Sequence, residues 1–106
     1  MKKVYLDNAA TTQLNQKVID EMTSVLANSY GNPSSTHFFG RDSKTIIELS
    51  RKFIANTFNV KPKEIFFTSG GTESNNMIIK SCIEHGVDRI ITTKIEHKAV
   101  LNPVLN

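Results

Sequence analysis

The chain has 106 residues, 39% of them hydrophobic, which is enough for one small domain with a core of its own. No apolar run approaches the length of a membrane span and the N-terminus lacks the apolar core of a signal peptide, so we expect a cytoplasmic protein that does not bind membranes. The net charge of +3 comes from scattered basic residues, a distribution that does not favour direct nucleic-acid binding.

The first half of the chain predicts an arm followed by two helices. Residues 1–14 are rich in small polar side chains and are interpreted as a short extended arm. Asn15 is a plausible N-cap, and apolar residues at helical spacing then predict a helix over residues 16–27. A loop rich in helix breakers, residues 30–37, precedes a second amphipathic helix that ends before residues 60–62. The apolar face of the second helix comprises Ile46, Leu49, Phe53, Ile54 and Phe58.

The second half predicts a strand, a helix and a second strand. Residues 64–68 form a short β-favouring apolar run that ends at a glycine pair, which is typical of a buried strand. The helix that follows ends at Gly86, and residues 89–93 predict the second strand. This order is one βαβ unit, which implies a parallel sheet with a right-handed crossover and an α/β fold class. The apolar face of the helix comprises Ile78, Ile79, Cys82 and Ile83.

Polar groups crowd the corner between the first predicted strand and its helix, residues 68–74. A helix N-terminus presents unpaired N–H groups and a positive dipole end, and both favour an anion. The turn through Gly70 and Gly71 can form a backbone nest, to which the Thr72 hydroxyl adds a donor. The lysine of a Walker loop and the dinucleotide-binding glycine pattern are both absent from this corner. Two interpretations stay open, a phosphate site and a plain turn that uses glycine for tightness.

A second polar cluster, Glu96-His97-Lys98, follows the second predicted strand. Ligands of open parallel sheets lie outside the carboxyl ends of the strands, so we expect this cluster and the glycine corner at the same sheet edge. An imidazole can stack on a flat ring or transfer protons, which makes His97 the candidate catalytic residue. The alternative is a surface or capping histidine. His37 and His85 have weaker claims to a functional role.

The single cysteine, Cys82, excludes an internal disulfide and a cysteine-based metal site, and we expect no bound metal. It lies on the apolar stripe of the helix after the glycine corner. A thiol in such a position behaves as a small hydrophobic side chain, so we predict that Cys82 is part of the core and is not a nucleophile.

Four motifs follow one another along the chain: YLDNAATT (residues 5–12), GNPSS (31–35) followed by His37, FTSGGTESNN (67–76) and EHKAVL (96–101). In this order they resemble the motifs of the cysteine desulfurases. These are pyridoxal-phosphate enzymes of the class V aminotransferase family, and the resemblance is to the NifS/IscS-like branch. The other branch, which includes SufS-type enzymes and selenocysteine lyases, carries different residues at the glycine corner and after the histidine.

The resemblance implies a fold and roles for individual residues. It implies part of a fold-type I PLP-dependent transferase large domain, doubly wound around a mainly parallel sheet. Residues 1–14 would be the N-terminal arm, and residues 15–106 the N-terminal part of the PLP-binding large domain. Gly71 and Thr72 match positions that bind the phosphate of pyridoxal 5'-phosphate. His97 matches the histidine that stacks on the pyridine ring and assists proton transfer.

The resemblance also implies an activity. Cysteine desulfurases convert L-cysteine to L-alanine and keep the sulfur as an enzyme persulfide. They act as homodimers and pass the sulfur to an iron–sulfur scaffold or another acceptor protein, for iron–sulfur clusters, thio-cofactors and modified RNA.

Three further functional residues of the family are not matched within residues 1–106: the Schiff-base lysine, the aspartate that pairs the pyridine nitrogen and the persulfide cysteine. Lys80, Lys94, Lys98 and Cys82 do not correspond to them. We therefore expect the N-terminal part of such an enzyme, inactive on its own and marginally stable. Two alternatives remain: a non-catalytic remnant or regulatory partner, and another class V enzyme such as a selenocysteine lyase or an aminotransferase.

Overall fold

The computed structural model describes residues 3–105, which form four α-helices and one short 3₁₀ turn and contain no β-strand. The chain divides into two compact units, Met1–Glu64 and Ile65–Asn106. The helix Gln16–Asn28 agrees within one residue with the predicted bounds, and the helices Phe38–Phe58 and Gly71–Glu84 contain the predicted amphipathic stretches. No bounds were predicted for the helix Lys98–Leu105, and both predicted strands are missing from the described residues.

The first unit contains α1 (Gln16–Asn28), α2 (Phe38–Phe58) and the 3₁₀ turn Pro62–Glu64. The Asn15 side chain accepts a hydrogen bond from the Lys17 N–H at 3.0 Å, which confirms the predicted N-cap of α1. Residues 3–14, interpreted from the sequence as an extended arm, form neither helix nor strand and contain a turn at residues 8–10. The helix α2 ends at Asn59, whose left-handed backbone (φ 54°) closes the last turn.

The loop between α1 and α2 is fastened to α2 by buried polar contacts. The Ser43 hydroxyl, which is buried, donates to the Ser29 carbonyl at 3.1 Å. Gly40 is also buried, and a Cβ added there would lie 2.4 Å from the Ser35 carbonyl oxygen. A side chain at residue 40 would therefore collide with backbone, so the packing of this loop requires glycine.

The second unit contains α3 (Gly71–Glu84) and α4 (Lys98–Leu105), which pack against each other. The end of α3 is closed by Gly86 in a positive-φ conformation (φ 89°), with its N–H donating to the Ile83 carbonyl at 3.0 Å. This confirms the predicted helix and its termination at glycine.

The predicted strands over residues 64–68 and 89–93 are not observed, and the βαβ unit with its parallel sheet is therefore absent from residues 3–105. Both segments are irregular apart from the 3₁₀ turn that ends at Glu64. A strand is defined by ladder hydrogen bonds to a neighbouring strand, and β-favouring composition specifies neither that neighbour nor its register. A sheet of only two strands is also marginal in water. The sheet expected of an α/β fold is thus not seen among residues 3–105.

Little apolar surface is buried in the described residues. Ala55 and Ala99 are the buried hydrophobic residues, and no large side chain among residues 3–105 is fully buried. The chain exposes 9614 Å², whereas a folded monomer of 11.9 kDa exposes about 6,000 Å². Phe66 and Phe67 are both exposed. The apolar faces of this chain are therefore largely uncovered.

Cys82 is exposed, so the prediction that it belongs to a core is wrong for this structure. Its position on the apolar stripe of α3 was identified correctly, but its stripe neighbours Ile78 and Ile83 are exposed too. Helical periodicity indicates which residues share a face; it does not show whether another element covers that face.

Candidate functional site

The glycine corner is the start of α3, and its backbone donors are unpaired within the helix. Gly70 is the N-cap and has no side-chain capping bond. The first helical hydrogen bond runs from the Ser74 N–H to the Gly70 carbonyl at 3.2 Å. The N–H groups of Gly71, Thr72 and Glu73 precede that bond and have no intrahelical acceptor. The corner therefore presents N–H groups at the positive end of the helix dipole.

Neither glycine of the corner is needed by the packing of the chain. A Cβ added at Gly70 or Gly71 would meet no atom within 4 Å. Their backbones are not strained either, since Gly70 is extended (φ 165°) and Gly71 begins a regular helix. The contrast is Gly40, where a Cβ would lie 2.4 Å from backbone oxygen. Open space over the bare backbone at Gly70 and Gly71 suits an anion that must approach the N–H groups closely.

The hydroxyls of the corner divide into two groups. Those of Thr68 and Ser74 lie 2.7 Å apart and share a hydrogen bond. The Ser69 hydroxyl donates to the Glu73 carboxylate at 2.6 Å. Among the residues that the structure describes, the exposed Thr72 hydroxyl is the one in this corner without a hydrogen-bond partner. Thr72 is thus the side chain available to donate to a ligand at the glycine corner.

Glu73 closes the corner from inside the first turn of α3. One carboxylate oxygen accepts from both the N–H and the hydroxyl of Ser69, each at 2.6 Å. These bonds lower the pKa of Glu73 below its ordinary value of 4.5, the side-chain bond first and the backbone bond second, against a small opposing effect of burial. Glu73 is therefore ionised at neutral pH. This contact was not predicted from the sequence, although a glutamate at the third helical position is a known signal of a helix start.

We expect the Glu73 contact to weaken in acid. A carboxylate whose folded pKa is depressed contributes stability above its unfolded pKa, and that contribution is lost as the pH falls through the folded pKa. The Glu73 carboxyl carbon, followed by NMR from pH 7 to pH 2, should therefore titrate with a midpoint below 4.5. In Ser69→Ala the midpoint should move upward because the larger of the two causes is removed. A wild-type midpoint at or above 4.5 would contradict the contact.

His97 caps the start of α4. Its Nδ1 accepts from the Ala99 N–H at 3.1 Å, and its carbonyl accepts from the Val100 N–H at 2.8 Å. Because Nδ1 is an acceptor, the proton of the neutral ring lies on Nε2. The residue is exposed, so the Nε2–H is left to donate. No hydrogen bond within residues 3–105 joins His97 to the glycine corner, and a shared position at one sheet edge stays a prediction.

The other two histidines have structural contacts. His37 is the N-cap of α2, with its Nδ1 accepting from the Gly40 N–H at 3.4 Å. His85 lies at the end of α3, with its Nδ1 2.8 Å from the Ser81 carbonyl. A cleft of about 370 Å³ between α3 and α4 contains none of the predicted site residues; it is lined by Asn76, Lys80, Ile83, Asn102 and Pro103.

No group of three or more histidine, cysteine, aspartate or glutamate side chains in residues 3–105 is arranged to hold a metal ion. None of the helices found in that range is long and apolar enough to cross a membrane.

The family model for aminotransferase class-V matches residues 4–106, which is almost the whole chain. The chain belongs to the class-V aminotransferase family. The match confirms the resemblance drawn from the four motifs. It also places the glycine corner and His97 within the matched region of a class-V chain.

This class-V chain is similar in sequence to several proteins named as cysteine desulfurases. It is 50% identical over 105 residues to the cysteine desulfurase IscS of Dictyoglomus turgidum, and the matched region covers 96% of the chain and 27% of that relative. It is 45% identical over 109 residues to the mitochondrial cysteine desulfurase of Saccharomyces cerevisiae, and that matched region covers 94% of the chain and 21% of the relative. The chain thus spans about a quarter of the length of these curated relatives.

A solved structure supports the same relationship at the level of the backbone. The chain superimposes on a NifS-like protein with a TM-score of 0.89 and 44% sequence identity, covering 98% of this chain and 29% of that one. The four helices therefore follow the backbone of a class-V protein, even though residues 3–105 contain no strand.

Proposed function

We propose that this chain is the N-terminal, cofactor-phosphate part of a PLP-dependent cysteine desulfurase. The observation that carries the proposal is the corner at the start of α3. A Cβ at Gly70 or Gly71 would meet no atom within 4 Å, so the packing of the chain does not require glycine at either position. In the intact protein, residues 1–14 form the arm and residues 15–106 the first part of the PLP-binding large domain. Residues 64–68 and 89–93 contribute to the doubly wound, mainly parallel sheet of that fold-type I domain.

The residues of the corner fit the phosphate of pyridoxal 5'-phosphate. The N–H groups of Gly71 and Thr72 and the free Thr72 hydroxyl would hold it by donating to its oxygens, and the dipole of α3 would favour its charge. His97 would stack on the ring. The neutral His97 ring carries its proton on Nε2, because its Nδ1 accepts from the Ala99 N–H. When bound, the cofactor supplies an electron sink for carbanion chemistry.

The proposed reaction of the intact enzyme is the conversion of L-cysteine to L-alanine, with the sulfur retained as an enzyme persulfide. The names of the relatives from Dictyoglomus turgidum and Saccharomyces cerevisiae support this activity. We propose that the intact protein is a cytoplasmic homodimer and that its sulfur passes to an iron–sulfur scaffold or another acceptor protein. The isolated 106-residue chain is proposed to be inactive.

A chimera tests the proposed function. Residues 4–106 replace the matching segment of the Dictyoglomus turgidum relative, and alanine formation from L-cysteine is measured in the presence of pyridoxal 5'-phosphate. We expect turnover by the chimera and none by the 106-residue chain alone. His97→Ala should lower turnover by about 10²-fold to 10⁴-fold, as expected for loss of a proton-transfer group. The matched control is His85→Ala, which should leave turnover near that of the parent chimera.

The same assay separates the alternatives. A chimera that binds the cofactor and forms no product would favour the non-catalytic remnant or regulatory partner. Release of selenium from L-selenocysteine without activity on L-cysteine would favour a selenocysteine lyase. Amino-group transfer to a keto acid would favour an aminotransferase.

A further inference from the structure

Two side-chain contacts cross the glycine pair and tie its two flanks together. In the first contact, the Ser69 N–H and hydroxyl both donate to the Glu73 carboxylate at 2.6 Å. In the second contact, the Thr68 and Ser74 hydroxyl oxygens lie 2.7 Å apart, and each also lies 3.3 Å from the Gly70 carbonyl oxygen. We refer to these two contacts together as the corner brace.

The brace compensates for a backbone that would otherwise be loosely held. Two consecutive glycines lose more conformational entropy on ordering than other residues do. Gly70 also supplies no side chain to cap α3. The Glu73 carboxylate instead ties the first turn of α3 to the residue that precedes the N-cap, because it accepts the Ser69 N–H. The start of α3 is thereby ordered without any side chain placed over Gly70 and Gly71.

The brace also determines which donors are left for a ligand. The carboxylate of Glu73 carries a negative charge in the first turn of α3, where it would compete with a phosphate for the free N–H groups. Its contacts with Ser69 engage that charge outside the helix start, and the N–H groups of Gly71 and Thr72 remain available. The lowered pKa of Glu73 is consistent with a carboxylate held in this way.

We propose that Glu73 is a positioning residue, which fixes the backbone from Ser69 to Gly71 in the conformation that receives the cofactor phosphate. The inference rests on the proposed function, since it assumes that a phosphate binds at this corner. Its effect on binding has a distinctive sign. Removing a negative charge near an anion site should by Coulomb's law tighten anion binding, whereas removing a brace should weaken it.

The test measures binding of pyridoxine 5'-phosphate to the 106-residue chain by two-dimensional ¹⁵N–¹H NMR. This probe keeps the ring and the phosphate but has no aldehyde to react with surface lysines. In Glu73→Ala we expect the dissociation constant to rise roughly fivefold to tenfold, as for the loss of one or two hydrogen bonds. Glu73→Gln keeps an oxygen that can accept from Ser69, and it should restore most of the affinity. Ser69→Ala, which retains the N–H contact, should weaken binding about twofold to threefold.

The outcomes distinguish the positioning role of Glu73 from the proposed function on which it rests. Wild-type binding with unchanged or tighter binding by Glu73→Ala overturns the positioning role and leaves the phosphate site intact. Failure of Glu73→Gln to recover affinity also overturns it, because the charge and not the hydrogen bonds would then matter. Absence of binding by the wild-type chain overturns the positioning role as proposed for this chain, whereas turnover by the chimera decides the proposed function independently. Circular dichroism checks that each variant keeps its helix content, and Ser69→Ala carries the test if Glu73→Ala loses it.

Discussion

Replacing Gly71 with valine should strongly weaken binding of pyridoxine 5'-phosphate while the helix content of the chain stays unchanged. A Cβ at residue 71 meets no protein atom within 4 Å, so the chain itself accommodates the new side chain. The same side chain would fill the open space through which a phosphate reaches the N–H groups. We expect the dissociation constant to rise by at least about tenfold, which corresponds to roughly 1.4 kcal/mol.

The control for Gly71→Val is Met77→Val, which places the same side chain on an exposed, uncharged position of α3 away from the corner. It should bind the ligand as the wild-type chain does. Unfolding of α3 in Gly71→Val would contradict the geometry. Undiminished binding by Gly71→Val would contradict the proposed site.

The second large effect expected is self-association of the isolated chain. It exposes 9614 Å², about 3,600 Å² more than a folded monomer of its mass would expose. An excess of that size is more than twice the roughly 1,600 Å² buried in a standard protein–protein interface. Sedimentation velocity should therefore show concentration-dependent association, and a fluorescent hydrophobic dye should bind the chain. A monomer with a sharp, reversible two-state melt would contradict this expectation.

Matched variants show whether exposed apolar side chains cause the self-association, by comparing substitutions at exposed and at buried positions. Ile91 and Ile95 are each 94% exposed, so the double variant Ile91→Asn with Ile95→Asn should reduce association and dye binding without loss of helix content. Ala55 is fully buried, and Ala55→Asn should lower helix content and raise dye binding.

The first three helices could be predicted from the sequence, because the signals that start and end a helix are local. The N-cap Asn15, the terminating Gly86 and the apolar spacing of α1 and α2 each act within a few residues, and each was confirmed. The two predicted strands were not observed, because a strand forms only with a neighbouring strand, which can come from any part of a chain. The burial of Cys82 failed for a similar reason: periodicity identifies a face and leaves its cover unspecified.

For the candidate site, the sequence singled out Gly71, Thr72 and His97 but could not rank the hydroxyls of the corner. The structure separates Thr72 from Thr68, Ser69 and Ser74, since only geometry shows which hydroxyls are already engaged. The same holds for His97, whose capping contact determines which ring nitrogen carries the proton. The roles of Gly71, Thr72 and His97 toward the cofactor remain predictions.

The most direct test of the account is a residue-resolved NMR titration of the 106-residue chain with pyridoxine 5'-phosphate and, separately, with pyridoxine. We expect the phosphate-bearing ligand to shift the amide signals of Gly71 and Thr72 and the ring signals of His97 together, along one saturation curve. Pyridoxine, which lacks the phosphate, should leave Gly71 and Thr72 unchanged. Equal shifts with both ligands, or shifts confined to residues outside the glycine corner, would contradict it.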